Sequence, residues 1–363
     1  MQLALDLATK GQFTTTPNPS VGCVLVKNNE IVGQGFHFKA GEPHAEVMAL
    51  NHAGENAKGA VAYVTLEPCS HFGRTPPCAR SLIKAGITKV IVAMQDPNPQ
   101  VAGRGLSMLQ ASGIESAVGL LEEKAEILNK GFLKRMRTGK PFVQLKLAMS
   151  IDGKTAMASG ESKWITCQAA REDVQQERAK ACAILSTAQT VLADNPLLNV
   201  RWEQLPHSVQ QEYQIENLRQ PIRIILDRQH QINSNHRLFT IASPIWLISD
   251  TTRNMTALPE YCKHIQINIT TKSYLETLMI ELGKRHINHL WVEGGATLAG
   301  SLIKEKLVDE LIVYIAPKLL GNQAKGLCDL PYLNKLADAP LWTLKSIEQI
   351  EDDVKLIYRY KTK

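Results

Sequence analysis

The chain has no apolar run near the roughly 18 residues needed to span a bilayer, so no membrane-spanning helix and no membrane partner are expected. Aromatic residues make up only 6% of its 363 residues, and the net charge of +6 is mild for that length. A nucleic-acid surface clusters basic groups and interleaves aromatics for stacking. Here the basic stretch Lys134-Arg135-Met136-Arg137 reads as a solvated helix end, and no nucleic-acid partner is expected. Seven cysteines, odd in number and irregular in spacing, do not make a disulfide framework and point to a reducing compartment, the cytoplasm. The opening Met1-Gln2-Leu3-Ala4-Leu5-Asp6-Leu7-Ala8 is too short and too acidic for a signal peptide. It reads as an amphipathic helix that begins abruptly, as though a few residues precede it. A Gly-x-Gly-x-x-Gly fingerprint is absent, which argues against a Rossmann domain. No internal repeat relates the two halves.

What is present is an ordinary globular composition, 44% hydrophobic and 21% charged, on a chain too long for one typical core. Two α/β domains are expected, 1–138 and 141–363, divided at Thr138-Gly139-Lys140-Pro141, where glycine and proline stop a helical pattern. In the first, apolar runs at 21–26, 31–35, 61–65 and 89–94 read as strands of a mixed or mostly parallel sheet. Helical patterns alternate with them at 44–53, 78–85 and 105–112, and 122–137 reads as one further helix. The second domain restarts with a strand at 142–148 and a helix at 169–179. Strands at 183–186, 222–227, 244–248 and 289–292 follow, then a helix at 298–306 and a strand at 310–315. Residues 203–220 are polar without periodicity and read as a surface excursion.

One constellation carries chemistry. His44-Ala45-Glu46, Pro68-Cys69 and Cys78 supply an imidazole, two thiols and a carboxylate beside the imidazole, the parts of a zinc-dependent deaminase. His44, Cys69 and Cys78 as zinc ligands would leave the fourth tetrahedral position for water, whose protons Glu46 would move. Pro43 is expected in the first turn of one helix, and Thr75-Pro76-Pro77 leads into another at Cys78. Both segments would then use helix N-termini, whose partial positive charge favours thiolates. Cys23, Cys182, Cys262 and Cys328 read as small buried hydrophobes. In the second half, Val292-Glu293-Gly294-Gly295-Ala296-Thr297-Leu298 is a strand entering a helix through two glycines, either a tight turn or a phosphate cradle.

Eight residues separate Cys69 from Cys78, where zinc deaminases as a class commonly have two. The stretch Pro68-Cys69-Ser70-His71-Phe72-Gly73-Arg74-Thr75-Pro76-Pro77-Cys78 instead resembles the deaminase half of the bifunctional riboflavin-biosynthesis deaminase/reductase family. So do Thr16-Pro17-Asn18-Pro19, Gly41-Glu42-Pro43-His44-Ala45-Glu46, Asp96-Pro97-Asn98-Pro99 and Gly103-Arg104-Gly105. Lys146-Leu147-Ala148-Met149-Ser150-Ile151-Asp152-Gly153-Lys154 and Thr190-Val191-Leu192-Ala193-Asp194-Asn195-Pro196 resemble the reductase half, and the resemblance covers nearly the whole chain. It implies a cytidine-deaminase-like α/β/α domain followed by a dihydrofolate-reductase-like α/β domain. The implied reactions are hydrolytic deamination of 2,5-diamino-6-(ribosylamino)pyrimidinone 5′-phosphate and NADPH-dependent reduction of the product's ribose to a ribityl chain. One zinc ion per chain, NADPH and a homodimer through the second domain are implied with them.

Position by position, the resemblance implies NADPH contacts for Ala148, Trp164, Thr190 and Asp194 and for the loop Gly295, Ala296, Thr297, Leu298, Ala299, Gly300 and Ser301. Ser162, Arg178, Leu198, Arg201 and Glu293 would contact the ribose phosphate, with Lys146 and Asp194 close to the sugar. Arg178 and Arg201 suit a phosphate dianion, since a guanidinium fork binds it through paired hydrogen bonds. Lys146, Asp194 and Glu293 suit sugar oxygens and proton delivery to the carbonyl. In the deaminase pocket Asn18 and the backbone near Ala45 are expected to read the pyrimidine, and His71, Arg74 and Thr75 to hold its phosphate. A nucleoside or tRNA deaminase with an accessory domain is the rival reading and needs only the first site. A structural zinc module is a third, but it would more often use four protein ligands and leave Glu46 without a purpose.

Overall fold

The structure, a computed structural model, describes residues 1–70, 76–98, 101–269, 271–331 and 333–361 and divides into two units, Met1–Gly139 and Lys140–Lys363. The first unit runs α1 (Gln2–Thr9), β1 (Gly22–Lys27), β2 (Glu30–Phe36), α2 (Ala45–Ala53), β3 (Val61–Val64), α3 (Cys78–Lys84), β4 (Lys89–Val92), α4 (Arg104–Ala111), β5 (Glu115–Val118), α5 (Glu122–Leu128) and α6 (Lys130–Thr138). Its five strands form one sheet in the order β2-β1-β3-β4-β5. β1 is antiparallel to both neighbours, while β3, β4 and β5 run parallel.

Small residues set how closely the first helix bearing site residues can lie on this sheet. Ala45, Ala49 and Ala53 are buried along one face of α2, and they meet Gly33 and Gly35 of β2. A Cβ on Gly35 would stand 2.5 Å from Met48 Cβ and 2.6 Å from Ala49 N. Only glycine permits that approach, and through it the start of α2 is held against the sheet edge.

The helix expected over 122–137 is two helices, broken at Asn129. That residue is buried, and its amide is committed to the backbone of Ser20: Ser20 N–H donates to Oδ1 at 2.8 Å and Nδ2 donates to Ser20 O at 2.9 Å. Holding both contacts takes Asn129 out of helical geometry, with φ −109° and ψ 19°.

The second unit contains β6 (Phe142–Ser150), β7 (Lys154–Ala156), α7 (Gln168–Lys180), β8 (Ala183–Thr187), α8 (Ala188–Asp194), α9 (His207–Glu212), β9 (Ile222–Leu226), β10 (Ile245–Ser249), β11 (Cys262–Gln266), α10 (Tyr274–Lys284), β12 (His289–Glu293), α11 (Ala296–Lys304), β13 (Glu310–Ala316), β14 (Lys325–Gly326), β15 (Trp342–Ile350) and β16 (Asp353–Tyr360). Nine strands make its main sheet, in the order β11-β10-β9-β8-β12-β6-β13-β16-β15. The pairs from β11 to β13 are parallel, and β16 and β15 close the sheet antiparallel. The fold is thus α/β in both units, with the inner parallel strands β8, β9, β10 and β12 of the second largely buried and mostly apolar.

Residues 203–220 are less of an excursion than their polarity suggests. α9 forms there, and Leu205, Val209 and Tyr213 are buried. Among the described residues no helix is long and apolar enough to cross a membrane.

Candidate active sites

Two of the four residues of the deaminase constellation start helices or stand just ahead of them. His44 caps α2 with extended backbone, φ −73° and ψ 164°. Pro43 therefore precedes the helix rather than lying in its first turn, because His44 takes the cap position. Cys78 opens α3 directly after Pro77, whose ring has no N–H to extend the helix backwards. His44 Nδ1 lies 3.2 Å from Cys78 Sγ and 3.6 Å from Cys69 Sγ, and Cys78 N–H donates to Cys69 Sγ at 3.3 Å. The three ligand atoms all fall within 4.8 Å of one another. One nitrogen and two sulfurs at this spacing fit zinc, with a coordination position to spare. The Cys78 thiol hydrogen bond, opposed by burial and aided by His44, holds the Cys69 thiol well below its ordinary range. That favours the thiolate that binds metal.

Glu46 sits in the first turn of α2 and is 3% exposed. Burial pushes its carboxyl up, the charge of Cys69 pushes it further, and the result is about 7. A group with that affinity can take and return a proton near neutrality. His71, Arg74 and Thr75 lie outside the described residues.

Two residues of this site went unread in the sequence. His37 is buried between Asn18 and Pro43: Asn18 Nδ2 lies 3.1 Å from His37 Nε2, and His37 Nδ1 lies 3.1 Å from Pro43 O. Glu67, just before Pro68-Cys69, is a buried carboxylate that accepts four backbone N–H groups. Gly105 and Gly103 donate at 2.9 Å, and Leu106 and Asp96 at 3.3 Å. It ties the start of α4 to the segment that carries Cys69. A charged residue closing the apolar run from Val61 to Leu66 was the available signal for it.

In the second unit, register brings Lys146 and Glu293 side by side on β6 and β12. Arg178 reaches Glu293 from α7 in a bidentate pair, Nε to Oε1 at 2.6 Å and Nη2 to Oε2 at 2.8 Å. Its Nη1 donates to Asn199 O at 2.9 Å. Three of the five Arg178 N–H groups are thereby engaged by protein groups, and Nη1 and Nη2 each keep a second hydrogen. Trp291 Nε1 also donates to Glu293 Oε1, at 2.8 Å. Burial pushes the Glu293 carboxyl up, but the Arg178 charge and hydrogen bonds, Lys146 and Trp291 outweigh it and bring it to about 2. Burial lowers the Lys146 ammonium, against the pull of Glu293. Arg201 is half-buried; its Nη1 donates to Gln204 Oε1 at 2.8 Å, while Nε and Nη2 have no hydrogen bond among the described residues.

The other expected contacts are placed unevenly. Thr187 caps α8 by accepting from Thr190 N–H at 3.2 Å, and Asp194 ends that helix, half-buried. Leu198 is buried in the core with φ +50°. Ala148 and Ser162 are half-buried, and Trp164 is 62% exposed with the Arg171 guanidinium 4.6 Å over its ring. Gly295 caps α11 from the end of β12 with no side chain in the way, and the N–H groups of Ala296, Thr297 and Leu298 have no partner among the described residues. Three free N–H groups at an uncrowded helix start fit a phosphate of a dinucleotide such as NADPH. Farther along, Leu298 and Ala299 face the core, and a Cβ on Gly300 would stand 2.0 Å from Asp329 O. Thr297 Oγ1 donates to Asp329 at 2.7 Å, and Ser301 Oγ donates to Thr297 O at 2.8 Å.

Comparison with known proteins gives a consistent result. A family model described as the cytidine and deoxycytidylate deaminase zinc-binding region matches residues 1–94, and one described as the RibD C-terminal domain matches residues 141–356. The riboflavin biosynthesis protein RibD of Haemophilus influenzae is 67% identical over 361 residues, covering 99% of this chain and 96% of its own. The Escherichia coli protein of the same name is 56% identical, covering 98% and 97%. A solved structure of Acinetobacter baumannii RibD superimposes with a TM-score of 0.93 at 44% identity, covering 99% of this chain and 98% of its own. The Thermotoga maritima diaminohydroxyphosphoribosylaminopyrimidine deaminase/5-amino-6-(5-phosphoribosylamino)uracil reductase superimposes with a TM-score of 0.86 at 32% identity, covering 99% and 97%.

Proposed function

This chain belongs to the bifunctional deaminase/reductase family of riboflavin biosynthesis, and on that premise we propose how its residues divide the two reactions. The chain hydrolyses the amino group from 2,5-diamino-6-(5-phospho-ribosylamino)pyrimidin-4-one with zinc. It then reduces the ribose of 5-amino-6-(5-phosphoribosylamino)uracil to a ribityl chain with NADPH. The observation that carries the assignment of residues is the convergence of His44, Cys69, Cys78 and buried Glu46 in one unit and of Lys146, Arg178 and Glu293 in the other.

In the first reaction His44, Cys69 and Cys78 hold the zinc. Zinc in such a site supplies the Lewis acidity that makes water a nucleophile near neutral pH. Glu46 takes one proton from the attacking water and passes it to a ring nitrogen; it then takes the second from the hydroxyl now on the ring carbon and passes it to the amine, which leaves as ammonia while the carbonyl forms. Asn18 and the backbone near Ala45 orient the pyrimidine, and His71, Arg74 and Thr75 hold the phosphate.

In the second reaction NADPH supplies the hydride. The start of α11 at Gly295 holds a cofactor phosphate, and Ala148, Trp164, Thr190 and Asp194 line the rest of its path, with Ala296 to Ser301 behind. Arg201, whose Nε and Nη2 have no hydrogen bond among the described residues, binds the substrate phosphate, and Ser162 and Leu198 flank it. Arg178 acts by fixing Glu293, which with Lys146 and Asp194 holds the sugar oxygens. Lys146 Nζ, whose proton burial makes easier to release, protonates the sugar ring oxygen as its bond to C1′ breaks and C1′ takes the hydride. A homodimer through the second unit is part of this reading. Among the described residues β15 leaves one edge of the nine-stranded sheet unpaired, with Leu344 43% and Ile347 65% exposed, an edge that a second strand can cover. Free cysteines throughout suit the cytoplasm, and the few aromatics and scattered charge leave no nucleic-acid partner in it.

The test is to give the protein the diaminopyrimidine phosphate with and without NADPH and identify the products by mass. Deaminated ribosyl product is expected without NADPH and ribityl product with it. Deamination with no reduction would leave the rival reading, a deaminase with an accessory domain.

A further inference from the structure

We propose that His37 is a positioning residue of the deaminase: it locks the Asn18 amide with its carbonyl oxygen turned to the substrate and so selects a ring that offers a hydrogen-bond donor there. The inference rests on the reading of Asn18 as a pyrimidine contact. His37 follows β2, is 3% exposed, and is held at its backbone by donation to Val21 O at 2.9 Å. Its ring packs edge-on against His44, with centroids 5.3 Å apart and planes at 74°. The ring is therefore fixed in place relative to a zinc ligand.

The chemistry of its two nitrogens decides the rest. Nδ1 lies 3.1 Å from Pro43 O, and a carbonyl oxygen only accepts, so Nδ1 carries the hydrogen. In the neutral ring Nε2 then presents a lone pair, and it faces Asn18 at 3.1 Å. Only the Nδ2 end of the amide can donate to that lone pair; the flipped amide would set two acceptors against each other. Oδ1 is thus turned the other way and has no hydrogen-bond partner among the described residues, on a side chain that is half-buried and reachable. A fixed acceptor selects a donor. In the diaminopyrimidinone the ring nitrogen between the amine-bearing carbon and the carbonyl carbon carries a hydrogen. In cytosine the corresponding nitrogen carries a lone pair. The Asn18–His37 pair therefore favours the pyrimidinone and opposes a cytosine-type ring.

The experiment is a double-mutant cycle on full-length, zinc-loaded protein: His37→Phe, Asn18→Ala and the combination, with kcat, KM, zinc content and reductase rate measured for each. His37→Phe is expected to raise the deaminase KM by about tenfold, the size of one net hydrogen bond, with a smaller change in kcat and with zinc and reduction unchanged. In the Asn18→Ala background the same substitution is expected to add nothing. Cytidine monophosphate is expected to inhibit His37→Phe more strongly, relative to KM, than it inhibits the wild type. His37→Gln, whose side-chain oxygen accepts from Asn18 Nδ2, is expected to recover most of the loss, and it decides the matter if Phe at 37 disturbs zinc loading. Asn18→Ala with an unchanged KM overturns the reading of Asn18 and the proposal with it. A raised KM in Asn18→Ala combined with multiplicative effects in the double variant, or His37→Gln as impaired as His37→Phe, overturns the role of His37 alone.

Discussion

Glu293→Gln removes one charge from an enclosed ion pair near the reductase site and leaves the other. The side chains of Arg178 and Glu293 are only 10% and 16% exposed, and they meet through two hydrogen bonds of 2.6 and 2.8 Å. Removing one partner of such a pair strands a buried charge and typically costs about 3–5 kcal/mol. Proton linkage supports the same size. Burial opposes ionisation of Glu293, but Arg178 and its neighbours win and bring the carboxyl from its ordinary 4.5 to about 2, worth about 3 kcal/mol. Because the folded pKa is depressed, this stability is fully present above pH 4.5 and is lost as pH falls toward 2. The difference between wild type and Glu293→Gln should therefore shrink from about 3 kcal/mol at pH 7 to about 1 kcal/mol at pH 3. Urea unfolding followed by tryptophan fluorescence reads the right unit, because Trp164, Trp202, Trp246, Trp291 and Trp342 all lie in the second unit. With a urea dependence of about 3 kcal/mol per molar for a unit of this size, the midpoint should fall by about 1 M at pH 7. A difference that stays the same at both pH values, or is absent at pH 7, would refute the reasoning.

Cys69→Ser and Cys78→Ser should each lose zinc, read by metal analysis, and lose deamination with it while NADPH oxidation on the deaminated substrate continues. Glu46→Gln should retain zinc yet deaminate more slowly by roughly 10²- to 10⁴-fold, the usual span for a lost general acid–base. Wild-type rates would make Glu46 structural. Gly35→Ala places a methyl 2.5 Å from Met48 Cβ, so the first unit should lose about 1–3 kcal/mol, seen as a lower deaminase melting temperature with the tryptophan-monitored transition unmoved. Ile347→Lys, at an exposed position on the free strand edge, should shift sedimentation from dimer toward monomer. An unchanged dimer would move the interface elsewhere.

Local pattern made the elements legible where one face of a strand or helix is apolar. The strand expected at 89–94 forms as Lys89–Val92, and the helix expected at 169–179 forms as Gln168–Lys180. α10 was missed although Leu275, Leu278, Met279 and Leu282 keep helical spacing behind the Ser273 cap. β15 was missed for a physical reason: most of its residues are exposed, so no alternation marks it. The charge closing an apolar run marks Glu67 itself, but its partners are not legible, because they are backbone groups supplied by another segment.

By itself the sequence determined the donor set. An imidazole, two thiols and a carboxylate at those intervals, inside motifs of one family, carry the same chemistry whatever packs around them. Tertiary structure alone decided which charges are spent on one another. Arg178 meets Glu293 across 115 residues of sequence, and Asn129 breaks a helix for Ser20 across 109. A guanidinium's donors look alike in sequence whether they will face a phosphate or a carboxylate. The choice is made by which groups the fold removes from water together, since a buried charge must find its partner there or not be buried at all.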